Sequence, residues 1–311
     1  MTKRSPVSSA PGPLENYAAR FDDLFGARAQ RRAFRRYLEG LLLSAERNKT
    51  LTALANTEPV MGAQHKKAQS LQWFLSESRW DPEEINRRRV ELLLEDPATA
   101  PNDGGALVID ETGDRKEGKK TAHVGRQYLS SIVKIDNGVV SVGSLWADER
   151  VYYPLEIEPY TPAHHFEGGK EDPLFHTKPQ IALELVEAAV EGGIPFRAVV
   201  VDILYGEHRG FRKGLEKKRI PYVLALKPSY AWYRPITEPG TVKEIAQVAS
   251  SWEGPDDPGE WVKLSSGTFR EGHTQEWWAL EAECQPFGKE KQRRLVIATT
   301  DPAELPDLTT W

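Results

Sequence analysis

Apolar residues recur at three- and four-residue spacing from Tyr17 to about Glu46, a period that predicts an amphipathic helix. Two further helical stretches are predicted, from about Met61 to Ser78 and from Pro82 to Leu94. Asp81 gives the last of these a capping side chain, and Pro82 occupies its first turn. These patterns predict a helical domain over residues 14–100, after a proline-rich and disordered tail at residues 1–13. Three aromatic residues are predicted to lie in its core, namely Trp73, Phe74 and Trp80.

Beyond the proline- and glycine-rich run at residues 97–105, the pattern changes to short apolar strands alternating with helices. The predicted elements are strands at Ala106–Asp110, Thr121–Ile132, Val139–Ala147, Ala198–Val201 and Tyr222–Leu226, and helices near Lys178–Glu191 and Phe211–Lys218. Three strands followed by alternating helices and strands predict an α/β fold, with a mixed five-stranded sheet and flanking helices. The first part of this core is assigned to residues 101–228.

The remaining sequence divides into two predicted pieces. Residues 229–291 are rich in Trp, Gly, Pro and Glu, and they predict a β-rich insertion. Arg294–Thr299 is apolar and β-branched, which predicts a core strand that returns at residues 292–311.

Composition excludes several classes of protein. Of the 311 residues, 39% are apolar and 28% are charged, as in globular proteins that bury a sizeable core. A single cysteine, Cys284, excludes a disulfide framework and a cysteine-based zinc site. No apolar run approaches the length that crosses a bilayer, and no leader follows Met1. A cytoplasmic protein without a membrane segment is therefore expected.

Charge is distributed unevenly along the chain. Residues 1–100 contain 16 Lys and Arg against 13 Asp and Glu, a net charge of +3, whereas the rest of the chain has a net charge of −8. The basic excess is strongest in a segment that contains Arg28, Arg31, Arg32, Arg35 and Arg36. Such a segment is typical of a surface that binds a polyanion. A solvated helix face with no ligand is the alternative.

Two aspartates end apolar strands. Asp110 follows Leu107-Val108-Ile109, and Asp202 follows Val199-Val200-Val201. If the strands are neighbours, both carboxylates lie at one edge of the sheet, where open α/β sheets bind ligands. Two close carboxylates repel unless a divalent cation lies between them, and Mg²⁺ prefers oxygen ligands. Glu111 is expected to point to the opposite face. The alternative is that the two aspartates are unrelated and only form local turns.

Six motifs along the chain form two groups. The first group is Val108-Ile109-Asp110-Glu111-Thr112-Gly113, Gly118-Lys119-Lys120 and Gly125-Arg126-Gln127-Tyr128. The second group is Phe175-His176-Thr177-Lys178-Pro179, Val201-Asp202-Ile203-Leu204-Tyr205-Gly206 and Ile220-Pro221-Tyr222-Val223-Leu224-Ala225. Together they resemble the first and second catalytic blocks of bacterial insertion-sequence DDE transposases. The resemblance extends over nearly the whole chain, and it implies an RNase H-like core.

The resemblance also implies roles for residues. Asp110 and Asp202 correspond to the first two acids of the DDE triad, which binds Mg²⁺ or Mn²⁺ and cuts and joins DNA. The expected partner is double-stranded DNA at transposon ends, and the resemblance allows a homodimer. Lys119, Lys120 and Arg126 are expected to contact backbone phosphates, together with the arginines from Arg28 to Arg36.

One departure from the family qualifies this expectation. The third acid of the triad, a Glu, lies in relatives on a helix after the last core strand, whereas only twelve residues follow Thr299 here. The sequence therefore predicts a C-terminally truncated member, with no third catalytic Glu in this chain and with impaired cleavage. Two alternatives remain, a non-catalytic DNA-binding remnant that occupies transposon ends or inhibits an intact transposase, and an unstable product of a decayed copy.

Overall fold

The computed structural model describes residues 12–43, 49–57, 64–225, 233–234, 242–268, 274–286, 293–299 and 302–303. The chain forms two compact units, residues 1–100 and 101–311. Of the tail predicted at residues 1–13, residues 1–11 lie outside the described part. Among the described helices, none combines the length and the apolar character needed to cross a membrane.

The first unit is helical. Its helices are α1 (Pro13–Ala19), α2 (Arg28–Leu41), α3 (Leu51–Leu54), α4 (Lys66–Ser76) and α5 (Pro82–Glu95). Helix α5 begins as the sequence predicts, because the Asp81 carboxylate accepts hydrogen bonds from the backbone N–H groups of Glu83 and Glu84. These bonds satisfy N–H groups that have no partner within the helix.

Aromatic rings form the core of this unit. Phe25 packs between Phe34 and Phe74, with ring centroids 5.0 and 5.9 Å away. Trp80 stacks on Phe74 at 5.4 Å, and its indole N–H donates to the Phe74 carbonyl. The prediction for Trp73 is wrong, because its side chain is 55% exposed. Consecutive helical positions point about 100° apart, so Trp73 and Phe74 cannot both face the core.

The second unit begins with a mixed sheet flanked by helices, as predicted. Its strands are β1 (Ala106–Arg115), β2 (Gly125–Leu129), β3 (Lys134–Ala147), β4 (Tyr152–Pro159), β5 (Ala198–Val201) and β6 (Tyr222–Leu224). The helices are α6 (Lys178–Glu191), α7 (Ile203–Gly206) and α8 (Arg209–Lys218). The sheet order is β2-β3-β1-β5-β6, with β4 also paired to β3. Strands β5 and β6 run parallel to β1, whereas β3 runs antiparallel to it.

The sheet has six strands because β3 is long enough to pair with two neighbours along one side. Its first residues pair with β2, and the segment from Ser141 to Ala147 pairs with β4. Strand β4 was not predicted, since its sequence contains two prolines and two glutamates among its eight residues. Such a strand is tolerated at a sheet edge, where one row of backbone N–H groups needs no partner.

One face of this sheet is tightly packed. Leu107 and Ile109 of β1 are buried, and they share that face with Trp146 and Val142 of β3. Helix α6 contacts β3 and β4, and it buries one stripe of its own, including Ile181, Leu185 and Ala189. The opposite face is less covered, with Val108, Leu145 and Val200 only half-buried.

A second sheet contains the remaining strands, β7 (Tyr233–Arg234), β8 (Val262–Thr268), β9 (Thr274–Pro286) and β10 (Arg293–Thr299). Helix α9 (Val242–Ala249) contacts β9, and Ile245 and Ala246 pack with Trp278 and Leu280. This differs from the expected returning core strand at residues 292–311, because β10 pairs with β9 of the second sheet. An apolar strand sequence does not specify its partner.

Close packing at the end of α7 generates a stability prediction. A Cβ atom on Gly206 would lie 2.1 Å from the backbone oxygen of Ala225, which follows β6. Backbone cannot rotate away as a side chain can, so Gly206→Ala is expected to lower the free energy of unfolding by about 1–3 kcal/mol. Gly118→Ala is the control, since nothing lies within 4 Å of its added methyl group. Chemical denaturation of both variants checks this, and equal stabilities would contradict it.

Candidate functional site

Asp110 and Asp202 lie at the same position of neighbouring strands. Strands β1 and β5 pair in parallel, and the last paired residues are Ile109 and Val201. Each aspartate is one residue beyond that pair, in strands that lie about 4.8 Å apart. Ile109 and Val201 point into the packed face, so the following residues point to the opposite, less covered face. Both aspartates are exposed there.

Local backbone fixes the Asp202 carboxylate. Asp202 precedes α7 in an extended conformation, and its Oδ1 accepts hydrogen bonds from the N–H groups of Leu204 at 3.0 Å and Tyr205 at 3.5 Å. The Asp110 Oδ1 accepts a hydrogen bond of 2.7 Å from the Glu111 N–H. Each carboxylate is therefore oriented by its own strand end, and its other oxygen is left available.

Electrostatics at this edge disfavours two bare charges. Desolvation of the carboxyl group raises the pKa of Asp202 above its ordinary value, and the charges of Asp110 and Glu111 raise it further. The hydrogen bonds from Tyr205 and Leu204 lower the pKa but do not cancel this. Among the described residues, no basic side chain forms an ion pair with Asp110 or Asp202. The site thus concentrates the charges of Asp110 and Asp202, which no basic side chain of the described residues neutralises by an ion pair.

These features fit a divalent cation with oxygen ligands. Two exposed carboxylates at one strand position provide hard donors, and their mutual repulsion falls when a cation lies between them. The part of the chain that the structure describes contains no group of three His, Cys, Asp or Glu side chains arranged to hold a metal. Two carboxylates match the way Mg²⁺ usually binds, through one or two carboxylates plus water and substrate phosphate.

A family model described as "DDE superfamily endonuclease" matches residues 20–279. The chain belongs to the DDE superfamily endonucleases. It is also 30% identical, over 312 residues, to a protein described as "Probable transposase for insertion sequence element IS701" from Microchaete diplosiphon. That alignment covers 100% of this chain and 74% of the relative. Together the two comparisons support an insertion-sequence transposase of the DDE family.

The fold agrees with this membership. The resemblance predicts an RNase H-like core, and the α/β architecture with its mixed sheet is consistent with an RNase H-like DDE fold. Two motifs that carry the resemblance contain Asp110 and Asp202, and the parallel pairing of β1 with β5 brings these residues together. Their assignment as catalytic residues of this DDE endonuclease stays a prediction.

The five arginines of α2 divide into two sets. Arg35 forms ion pairs with Glu15 at 2.7 Å and Asp22 at 2.8 Å, and Arg31 donates to the Phe25 carbonyl. These two arginines hold the helical unit together. The other three form an exposed arginine stripe on one side of α2, with no ion partner in the described parts of the chain; they are Arg28, Arg32 and Arg36.

The other predicted phosphate contacts lie near the β2–β3 hairpin. Lys119 and Lys120 are exposed in the loop before β2, and Arg126 is exposed on β2 itself. Asn137 of β3 fixes this loop, because its side-chain amide donates to the carbonyls of Lys116 and Gly118 at 2.6 and 2.9 Å. Within the described segments, none of the three basic side chains has an ion partner.

Sequence reasoning missed a pair of charges behind the aspartates. The Lys178 Nζ at the start of α6 lies 2.7 Å from the Glu111 Oε2. Glu111 shares the packed face with Ile109, which confirms that it points away from Asp110. Lys178 could have been found from the predicted order of strands and helices. A helix that leads into β5 begins at the edge where β1 and β5 end.

The raised pKa of Asp202 generates a prediction about stability and pH. Because the folded state binds this proton more tightly than the unfolded chain does, the wild type loses stability as pH rises through the interval between the two pKa values. Asp202→Asn keeps a capping side chain but carries no charge. Without metal, it is expected to stabilise the protein near neutral pH by less than about 1 kcal/mol, since solvent screens the site. The gain should vanish in acid.

Asp148→Asn is the control for this experiment. Burial acts to raise the pKa of Asp148, but hydrogen bonds from Val151, Arg150 and Asn102 outweigh it and lower the pKa to about 2. Its carboxylate is favoured in the folded state, so its loss should destabilise the protein near neutral pH. Denaturant unfolding of the wild type and of both variants, near neutral pH and in acid, measures these differences in stability. A lower stability of Asp202→Asn than of the wild type at neutral pH would contradict the inferred repulsion between the acids at this edge.

Proposed function

We propose that this chain is a DDE transposase that binds a divalent metal ion through Asp110 and Asp202 and cleaves and joins DNA at insertion-sequence ends. The observation that supports this is the placement of the two carboxylates. They are one residue beyond the paired Ile109 and Val201, on the same face, and without a basic partner in the described chain. Mg²⁺ is the expected ion, and Mn²⁺ is expected to substitute for it.

The proposed chemistry is phosphoryl transfer. Asp110 and Asp202 would hold the metal ion, which would supply activation of the attacking hydroxyl and charge stabilisation of the leaving oxygen. The oxygen of water or of a DNA 3′-hydroxyl forms the new bond to phosphorus and loses its proton to solvent. The bond to the 3′-oxygen of the cleaved strand breaks, and that oxygen leaves with the electron pair and takes up a proton. Asp110 and Asp202 hold the site for this step, and backbone N–H groups keep the Asp202 carboxylate oriented.

Exposed cations supply the proposed contacts with DNA. The arginine stripe is about 12 Å long, from eight residues at 1.5 Å each, which corresponds to a few backbone phosphates of a duplex. Lys119, Lys120 and Arg126 provide a second set of exposed charges. Such contacts hold double-stranded DNA without reading its sequence. A homodimer and a cytoplasmic location stay predictions.

We further infer that the 311-residue chain, assayed alone, cleaves weakly. Two carboxylates give the metal fewer protein ligands than the triad that the family uses, and the described residues contain no group of three acids that could hold a metal ion together. The arginine stripe, which has no ion partner among the described residues, supports the second candidate function, DNA binding without cleavage. A protein of this kind would occupy transposon ends or inhibit an intact transposase.

Metal binding tests the site. Wild-type chain is expected to bind Mn²⁺, measured by calorimetry or by the loss of the free-ion electron paramagnetic resonance signal. Asp110→Asn and Asp202→Asn are each expected to lower the affinity for Mn²⁺ more than about tenfold. Loss of a residue that only hydrogen-bonds to a metal ligand already costs about tenfold, and these two residues are the proposed ligands themselves. Asp114→Asn, an exposed aspartate further along β1, is the matched control and should bind as the wild type does. Unchanged binding in Asp202→Asn would reject the site.

Cleavage then separates the two candidate functions. The substrate is supercoiled plasmid that carries the DNA flanking this gene, with Mn²⁺ or Mg²⁺. Slow nicking that disappears in Asp202→Asn supports an impaired nuclease. No nicking, together with DNA binding that survives Asp110→Asn, supports the non-catalytic protein. Robust cleavage would contradict the inferred impairment.

The arginine stripe generates a prediction about DNA affinity. Replacing Arg28, Arg32 and Arg36 by Gln is expected to weaken binding to any duplex sequence. If each arginine contacts one phosphate, the slope of log affinity against log salt should fall by about 0.9 per contact, or about 2.7 in all. Fluorescence anisotropy over a range of salt concentrations measures this slope.

The control removes the same charge elsewhere in the helical unit. Arg20, Arg79 and Arg87 are also exposed, and the corresponding triple Gln variant should leave the slope nearly unchanged. Equal slopes in the two triple variants would show that net charge, and not the arginine stripe, governs binding.

A further inference from the structure

A mostly buried ion pair lies directly behind the two aspartates. Glu111 follows Asp110 on β1 but belongs to the packed face, and its side chain is only 11% exposed. The Lys178 Nζ lies 2.7 Å from the Glu111 Oε2, and the Lys178 side chain is 16% exposed. That oxygen is buried and accepts no hydrogen bond from the described residues, so the ion pair with Lys178 is its polar contact there. Lys178 is therefore what compensates the Glu111 charge.

The position of Lys178 is fixed by more than this contact. It is the first residue of α6, which Thr177 and Gln180 anchor through a reciprocal capping box. Its Nζ also lies 5.5 Å from the centroid of the Tyr160 ring, next to the end of β4. An ammonium group at that distance from an aromatic face is attracted to it. Lys178 is thus held between α6, Tyr160 and β1.

Charges at this edge of the sheet can be counted from these contacts. Asp110, Asp202 and Glu111 contribute three negative charges, and Lys178 is the basic side chain that pairs with one of these acids in the described chain. Glu111 is the residue next to Asp110 on β1, so its charge is close enough to act on a cation bound by Asp110. With Lys178 in place the net charge is that of two carboxylates.

We propose that Lys178 sets the charge of the metal position by neutralising Glu111, so that the net charge of Asp110 and Asp202 matches one divalent cation. Lys178 is a positioning residue in this account and touches neither metal nor DNA. The inference rests on the proposed metal site. An uncompensated Glu111 would hold a cation more tightly and would also repel the phosphates that must approach that cation.

Divalent-ion affinity tests the proposal without any DNA. The probe is Mn²⁺ alone, titrated into the full chain at one fixed pH at which all the carboxyl groups are ionised. Lys178→Met adds one net negative charge, and Glu111→Gln removes one. A unit charge several ångströms from a divalent ion in an exposed site changes affinity by roughly fivefold. We expect tighter binding by about that factor in Lys178→Met and weaker binding by a similar factor in Glu111→Gln.

The double variant Glu111→Gln/Lys178→Met completes the cycle. Its net charge equals that of the wild type, so its affinity should return to within about twofold of wild type. A merely structural role for the pair would weaken binding in both single variants. Changes of Mn²⁺ affinity in opposite directions in the two single variants are therefore the diagnostic result. The differences should also shrink at high salt, because screening weakens interactions between separated charges.

A second lysine–glutamate pair provides the matched control. Lys218 of α8 lies 3.1 Å from Glu187 of α6, and Glu187 is nine residues, or about 13 Å, along α6 from Lys178. Lys218→Met removes the same charge from the same unit and should leave Mn²⁺ affinity unchanged. An equal effect of Lys218→Met and Lys178→Met would overturn the proposal, because bulk charge would then explain it.

The outcomes separate this proposal from the metal site itself. If the wild type does not bind Mn²⁺, or if Asp202→Asn binds as the wild type does, the proposed function fails. If Asp202→Asn abolishes binding but Lys178→Met and Glu111→Gln bind as the wild type does, only the role of Lys178 fails. If Lys178→Met does not fold, the Mn²⁺ affinities of Glu111→Gln and of the double variant are compared instead to test the role of Lys178. Equally weak binding in those two would overturn the role of Lys178.

Discussion

The parallel pairing of β1 with β5 is the constraint on which the site depends. Ile109 and Val201 are partners in this ladder, so Asp110 and Asp202 are placed together by backbone hydrogen bonds that involve neither side chain. Side chains alternate between the two faces of a sheet, and a slip of one residue would send one carboxylate to the packed face. The buried residues Leu107, Ile109, Val199 and Val201 prevent that slip. The apolar packing of one face thereby determines the chemistry of the other.

The surroundings of the acids in the second unit stabilise some of the ionised carboxyl groups and destabilise others. Asp148 is surrounded by hydrogen-bond donors, which stabilise its charge. Asp202 has two backbone donors but faces other acids, and its charge is disfavoured. Glu111 lies on the packed face, where a bare charge would be costly, and Lys178 neutralises it there. Of Asp110, Glu111, Asp148 and Asp202, only Asp110 and Asp202 are both exposed and without a basic partner in the described chain, and their neighbouring charges are the condition that a metal ion relieves.

Much of the core could be predicted because its signals are local. Apolar strands that end in aspartate, and the helix signals around Asp81 and Thr177, depend on a few adjacent residues. The rest depends on partners distant in sequence. Strand β10 has a core-like sequence but pairs with β9. Lys178 and Glu111 are 67 residues apart in sequence and meet only because α6 starts beside the end of β1. The five arginines of α2 look equivalent until helical geometry separates Arg35, which is ion-paired, from the exposed stripe.

The proposed site would couple metal binding to DNA binding. Mg²⁺ takes six ligands in near-octahedral geometry, and two carboxylates leave most of those positions to water and to substrate phosphate. A phosphate oxygen that entered one of these positions would raise the affinity of the site for the metal, and linkage would require the metal to raise the affinity for that DNA by the same factor. Too negative a site would weaken this coupling, since the protein would bind the cation tightly while repelling the phosphate. On this argument Lys178 favours the ternary complex over a metal complex without DNA, although it contacts neither ligand.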